Sequence, residues 1–251
     1  FVGLQNFKFL FTSGQLTLLL RNTILYNLVF IVLNIVIPAA LAMMINELYS
    51  KRRSKVYQTM MFFPHFLSWV VVSYFVYAFL SPDKGLANKI VMGLGGEKIL
   101  WYSSPQYWPF ILVFMNLWKG TGYSMVVYLA SITGIDGSLY EAAMLDGATK
   151  WQQVLHVTLP HLKPMIVILL IMNVGKIFNA DFGLFWSVPM NSAPLFPATR
   201  VVDTYVYRAL IEQGNISMSS AAGVYQSLVG FCVVMLSNWI VRKVDKDQAL
   251  F

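Results

Sequence analysis

Apolar residues along this chain do not alternate with polar ones. They gather into five long runs, at 22–45, 56–80, 106–131, 163–180 and 219–241, parted by intervals rich in Gly, Pro, Asn, Asp and charge. A helix needs about 20 such residues to cross the hydrocarbon core of a bilayer. In lipid every backbone N–H and C=O must be bonded internally, so runs of this kind are helices. The pattern predicts an all-α polytopic membrane protein with five transmembrane helices in a single domain, 1–251. Pro38, inside the first run, predicts a kink. Pro105 and Pro109 fall near the start of the third, where a missing N–H costs little.

Composition agrees and narrows the class. Hydrophobic residues make up 57% of the 251 and charged residues only 12%, against roughly a quarter charged in soluble domains. Aromatic residues, at 15%, suit interfacial belts. The net charge of +7 calls for no nucleic acid, because its distribution serves topology. Lys51, Arg52, Arg53 and Lys55 face only Glu47 in the interval after the first run, and Arg242, Lys243 and Lys246 follow the last. With five spans both regions fall on one side, together with the interval 132–162, and an excess of Lys and Arg marks that side as cytoplasmic. The chain is expected in a bacterial plasma membrane with its C-terminus inside. Residues 1–20 then lie outside, so a cytoplasmic start requires a sixth helix before Phe1; the chain opens without Met and without a signal peptide. The single Cys232 can form no disulfide within the chain. In the outer interval 181–217, Asp203 is expected to cap a helix over 204–212, with Tyr205, Val206, Ala209 and Leu210 on one face and Gly214 and Asn215 ending it.

The interval 132–162 is polar, yet full of helix signals. Ser138 followed by Glu141 has the form of a capping box, and so has Thr149 followed by Gln152. Gly147 between them offers a left-handed turn. Pro160 and Pro164 are expected to stop the second helix before the next span. Trp151, Val154 and Leu155 share one face of it, which must be buried against this chain or another.

Glu141-Ala142-Ala143, three residues, Gly147, nine residues, then Val157, one more and Leu159-Pro160: this spacing resembles the EAA loop of the membrane subunits of binding-protein-dependent ABC importers. The wider run 141–164, with Asp146-Gly147-Ala148, is similar to the carbohydrate-importing branch. Phe1-Val2-Gly3-Leu4-Gln5-Asn6-Phe7, the stretch 203–208 (Asp-Thr-Tyr-Val-Tyr-Arg) and the stretch 219–226 (Ser-Ser-Ala-Ala-Gly-Val-Tyr-Gln) resemble the LplB-like permeases for oligosaccharides and polysaccharide fragments. The resemblance implies a type I ABC importer permease fold, with residues 132–162 as a cytoplasmic coupling loop docked in the cleft of an ATPase. Carried over residue by residue, Glu141, Ala142, Ala143, Asp146, Gly147, Trp151, Leu159 and Pro160 are the coupling residues. A reading in which Glu141 only caps its own helix stands beside it. The partners implied are a second permease subunit in a heterodimer, two ATPase subunits, an extracellular solute-binding protein, a sugar and lipid, with no nucleic acid.

No G-x-x-x-x-G-K-[ST] is present, so ATP and Mg belong to the partner subunits; no cofactor, metal site or enzymatic activity is expected in this chain. Polar residues inside spans mark pathways or helix–helix bonds. Asn116, Tyr123, Asn173, Asn179, Tyr225 and Gln226 have the chemistry for sugar hydroxyls and are the substrate-path candidates. Lys119 and Lys176 need partners at depth, with Asp181 a candidate for Lys176, or snorkel to an interface. The alternative function, a secondary transporter or channel without an ATPase, requires paired intramembrane acids and broken helices in both halves, which the sequence does not display.

Overall fold

The computed structural model describes residues 16–48, 50–212, 214 and 216–244. Phe1–Phe7, Asn215 and Lys246, which entered the sequence reading, lie outside them. Among the described residues the chain is helical without strands. Four helical runs are long and apolar enough to span a membrane: Thr17–Asn46, Pro105–Thr133, Lys150–Val174 and Ser219–Lys243. A fifth span is obtained if a bent pair, Lys51–Phe66 with Trp69–Leu80, is taken as one.

That pair corrects the expectation of a continuous helix over 56–80. Helix α2 follows α1 (Leu16–Asn46) as Lys51–Phe62, and gives way to a 3-10 turn at Phe63–Phe66; α3 then starts at Trp69 and runs to Leu80. The two arms are bent by 100°. Pro64 cannot donate to the helix ladder, and Ser68 offers a new start by accepting from the Val71 N–H at 3.3 Å. Pro38, by contrast, sits within α1 without ending it.

Two further boundaries differ from expectation. Neither Pro160 nor Pro164 stops a helix. A short α-turn at Lys150–Gln153 widens into a π turn at Val154–Thr158 and continues as Leu159–Val174. The Leu159 N–H reaches back five residues to the Val154 carbonyl, and this wider turn admits the Pro160 ring that would otherwise strike the carbonyl four residues before it. At its far end the same span stops at Val174, so Lys176 and Asn179 lie in a turn and not in a helix.

The chain divides into two compact units, 16–29 with 67–116 and 175–233, and 30–66 with 117–174 and 234–244. In the first, α1 is tied to the interval 197–202 by polar side chains: Asn22 donates to the carbonyls of Pro197 and Arg200, both at 3.0 Å, Tyr26 to that of Ala198 at 2.8 Å, and Thr23 accepts from the Val202 N–H at 3.1 Å. The interval 181–217 holds not one short helix but several: Phe182–Ser187, a 3-10 turn at Ala193–Leu195, Phe196–Thr199 and Val202–Ile211. In the last of these, Ala209 is buried as expected, while Leu210 is exposed. Asp203 is not its cap. The N-cap position falls to Val201, without a side-chain cap bond; Thr204 Oγ1, inside the helix, reaches back to accept from the Val201 N–H at 3.2 Å, while Asp203 Oδ2 accepts from the Ala180 N–H at 2.7 Å and from Gln226 Nε2 at 3.3 Å. Nor does Asp181 pair with Lys176. It accepts from Trp69 Nε1 at 2.8 Å and from the Leu184 N–H at 3.2 Å. Asn88 organises the interval after α3: it donates to the carbonyls of Pro82 and Ile99 and accepts from the Ile99 N–H and Trp101 Nε1.

In the second unit, Ala39, Ala42 and Ile45 of α1 pack with Met125, Tyr128, Leu129 and Ile132 of the helix Trp108–Thr133 and with Leu162. Small residues let such helices approach closely. Closest of all is Gly122, whose missing Cβ would collide with the Met61 carbonyl.

Two outcomes follow for stability. Gly122→Ala is expected to destabilise by about 1–3 kcal/mol, since backbone must move, whereas Gly223→Ala, where a Cβ meets nothing within 4 Å, is neutral or stabilising; thermal unfolding in detergent compares them. Burial pushes the Asp203 carboxyl above its ordinary value of 3.8, with Asp181 adding to the rise, against the bonds from Ala180 and Gln226. A carboxyl raised in the folded state holds its proton more tightly there, so its contribution favours folding below the ordinary value and is lost as pH climbs through the raised one. Asp203→Asn keeps an oxygen for Ala180 and is expected to flatten that decline, read as the slope of unfolding temperature against pH from 3.8 upward.

Candidate functional site

The interval between the helix ending at Thr133 and the span beginning at Leu159 forms a hook with its own internal bonds. Its first arm is Gly137–Leu145. Asp136, not Ser138, is its cap: the Asp136 carboxylate accepts from the Ser138 N–H at 3.0 Å, and that bond holds the carboxyl below its usual range. Glu141 therefore does not close a capping box, and its carboxylate takes no hydrogen bond or ion pair among the described residues. Gly147 ends the arm at φ +77°, with its N–H on the Met144 carbonyl at 3.0 Å and the Ala148 N–H on that of Ala143 at 2.9 Å. These are the two bonds of a Schellman turn, and glycine adopts the required backbone without a Cβ penalty. The second arm starts on the expected capping box: Thr149 N–H donates to Gln152 Oε1 at 2.7 Å, and the Gln152 N–H to Thr149 Oγ1 at 3.4 Å.

Two contacts that the sequence did not announce hold the hook together, and a third ties its second arm to Glu47 just after α1. Tyr140 Oη and Thr158 Oγ1 are 2.9 Å apart, buried Gln153 donates to the Ala148 carbonyl at 3.1 Å, and Lys150 pairs with Glu47 at 3.2 Å. Between the arms lies a cavity of about 300 Å³ lined by Ala143, Asp146, Gly147 and Ala148 on one side and Gln152, His156 and Val157 on the other. Ala143, Asp146 and Gly147 of the expected coupling residues meet there. Glu141, Ala142, Trp151, Leu159 and Pro160 are exposed around it. The face containing Trp151 is not buried by this chain: Trp151 is 69% exposed and Leu145 of the first arm 90%.

The six substrate-path candidates are divided between the two units. Asn116, Asn179, Tyr225 and Gln226 belong to the first unit, Tyr123 and Asn173 to the second. Gln226 is buried and donates to the Phe178 carbonyl at 2.8 Å as well as to Asp203. Asn173 donates to the Leu169 carbonyl of its own helix at 2.8 Å, and the Asn179 carbonyl accepts from Asn27 at 3.0 Å. A second cavity, of about 520 Å³, is lined by none of the six.

Tyr123 is the exception. Half exposed near the middle of its span, its ring stacks on that of His65 with centroids 4.8 Å apart and planes at 16°; Phe62 lies parallel at 5.8 Å from His65, and Phe66 meets Phe62 edge-on at 5.0 Å. Lys119 Nζ donates to the His65 carbonyl at 2.8 Å. The break at Pro64 thus sets the rings of Phe62, His65 and Phe66 beside Tyr123 and Lys119 of the helix Trp108–Thr133. Phe62, His65 and Phe66 were missed in the sequence because the helix was read through them; Pro64 followed by Ser68 was the available signal.

Residues 34–246 match the family of binding-protein-dependent transport system inner membrane components, and the chain belongs to that family. It is a permease subunit of an ABC importer, as the Glu-Ala-Ala spacing suggested. The polygalacturonan/rhamnogalacturonan transport system permease protein YteP of Bacillus subtilis (strain 168) is 36% identical over 98% of this chain and 76% of its own length. Protein LplB of the same organism is 32% identical over 98% and 77%. Among solved structures, a bacterial ABC transporter involved in the import of the acidic polysaccharide alginate superposes with a TM-score of 0.92 at 32% identity, over 98% of this chain and 85% of that one. A bacterial alginate ABC transporter in complex with an alginate pentasaccharide-bound periplasmic protein gives 0.90 at 33% identity, over 96% and 83%. The expected all-α permease fold and the resemblance to the carbohydrate branch are borne out.

Proposed function

We propose that this chain and a second permease subunit form the membrane path of an importer for uronate-bearing oligosaccharides, moved by two ATPase subunits that bind ATP and Mg. A solute-binding protein delivers the sugar from outside. The observation that carries the coupling role is the hook: two short arms with their own caps, a glycine turn, a small cavity and an apolar rim of Leu145 and Trp151 left bare. Short helices exposing such side chains are built to meet another protein. Lys51, Arg52, Arg53, Lys55, Arg242 and Lys243 support a cytoplasmic position for it, which puts the interval 181–217, one span further on, outside.

For the cargo, Tyr123 and its stacked neighbours offer the aromatic surface on which sugar rings pack, and Lys119 puts a cation beside it. A cation at mid-span is expensive to keep; recognition of a carboxylate-bearing substrate gives it a use. The relatives named for polygalacturonan/rhamnogalacturonan and for alginate transport acidic sugars, in line with this reading.

Gly147→Asp is expected to leave the subunit inserted and the turn formed, because aspartate tolerates left-handed backbone better than most residues. It places a charged side chain at the cavity wall, and transport uncouples from ATP hydrolysis. Proteoliposome uptake measured beside ATPase activity tests this, and unaltered uptake refutes the coupling role. Tyr123→Ala should lower uptake of both acidic and neutral oligosaccharides, whereas Lys119→Gln lowers that of uronate oligosaccharides by about tenfold, or roughly 1.4 kcal/mol, and spares neutral ones. Equal loss for both sugar types with Lys119→Gln would remove the uronate from the reading.

A further inference from the structure

The interval 181–217 carries two arginines that form no ion pair among the described residues. Arg200 follows the helix Phe196–Thr199, and Arg208 lies in the last turn of Val202–Ile211. Their guanidinium carbons sit 4.2 Å and 3.9 Å from the centroid of one ring, Phe196, and Arg208 is also 5.2 Å from that of Trp186. Neither Nε–H has an acceptor. The ion pairs among the described residues are Lys98–Asp83 and Lys150–Glu47, and neither arginine takes part. Two cations on one ring repel: burial and the neighbouring Arg200 both draw the Arg208 guanidinium down from its ordinary range, offset in part by Glu212.

The turn that meets Arg208 is itself unusual. Met190 and Asn191 both stand in the left-handed region, at φ +52° and +51°, where non-glycine residues are uncommon. This backbone brings Asn191 Oδ1 to Arg208 Nη2. Strain of this kind persists only where the surroundings enforce it, and it gathers at functional sites. Here it supplies a neutral acceptor, which orients the guanidinium and leaves its charge standing.

The rings around the pair are already engaged. Phe196 is flanked by both cations, Phe182 and Trp186 stack at 5.5 Å, and Tyr207 packs against both of these at 4.8 Å and 4.9 Å. Little aromatic face remains for a sugar ring to stack on, so the chemistry on offer is a pair of forked N–H donors whose charge Glu212 offsets only in part, at Arg208. Both arginines are partly buried, with the Nε atoms shut in and a fraction of each side chain left open to an anion from outside the chain. We infer that Arg200 and Arg208 form the docking point for an acidic side chain, aspartate or glutamate, of the solute-binding protein. Arginine suits this role because its planar fork binds a carboxylate through two parallel hydrogen bonds. The inference rests on the proposed importer function and on the outward position of 181–217.

The test uses the assembled transporter, with its partner permease and ATPases, in nanodiscs of zwitterionic lipid with and without phosphatidylglycerol; the probe is the system's own sugar-loaded binding protein. Arg200→Gln and Arg208→Gln together are expected to weaken its binding about tenfold, mainly through a slower association rate, and to flatten the dependence on salt. In the unaltered transporter, the binding protein is expected to shield Arg208 from phenylglyoxal, a measurement that needs no variant to fold. Undiminished affinity in the double variant, or modification of Arg208 unaffected by the binding protein, overturns the site while the importer reading stands. A loss seen only with phosphatidylglycerol present assigns the pair to a lipid phosphate and overturns it too. Failure of the unaltered transporter to bind the protein at all removes the reading beneath.

Discussion

A backbone amide or carbonyl shut away from water must find a partner, and the places where this chain interrupts its helices are organised around that requirement. At the first interruption, Lys119 donates to the His65 carbonyl beyond Pro64. At the second, after Val174, the carbonyls of Ile177, Phe178 and Asn179 and the N–H of Ala180 would all lack partners. Asn27 donates to the first and third, Gln226 to the second, and Asp203 accepts from the fourth. Each is a side chain with a free reach from a neighbouring segment. An isolated amide left unpaired in such surroundings costs on the order of 1–3 kcal/mol, so several together decide whether the turn exists.

This accounts for what was and was not legible in the sequence. The spans were legible because length and apolarity suffice to announce them, and the hook because Gly147, Thr149 and Gln152 act within a few residues of themselves. Polar residues inside spans were ambiguous in kind. Gln226 and Asn173 have sugar-binding chemistry, but amides that bind hydroxyls bind carbonyls equally well, and only the fold decides which are near. Asp203 was read as a local cap because caps are local; its partners Ala180 and Gln226 lie 23 residues away on either side.

Prolines were misread in both directions. Pro64 broke a run that looked continuous, while Pro160 and Pro164 failed to break one that looked interrupted. The difference lies in what the neighbouring residues allow. Beside Pro64, Ser68 can start a fresh helix and Lys119 can donate to the His65 carbonyl at the break. Before Pro160, the chain slips into a five-residue turn that makes room for the ring and keeps the axis going. Proline sets a local steric demand, and its outcome depends on the solutions within reach.

The π turn matters most for what it joins. From Lys150 to Val174 the backbone is one uninterrupted rod of 25 residues, some 37 Å at 1.5 Å per residue. Trp151 rides at one tip and the turn held by Asn27 and Gln226 begins at the other. The second arm of the hook is therefore a continuation of the membrane-spanning helix itself, and the two share one axis.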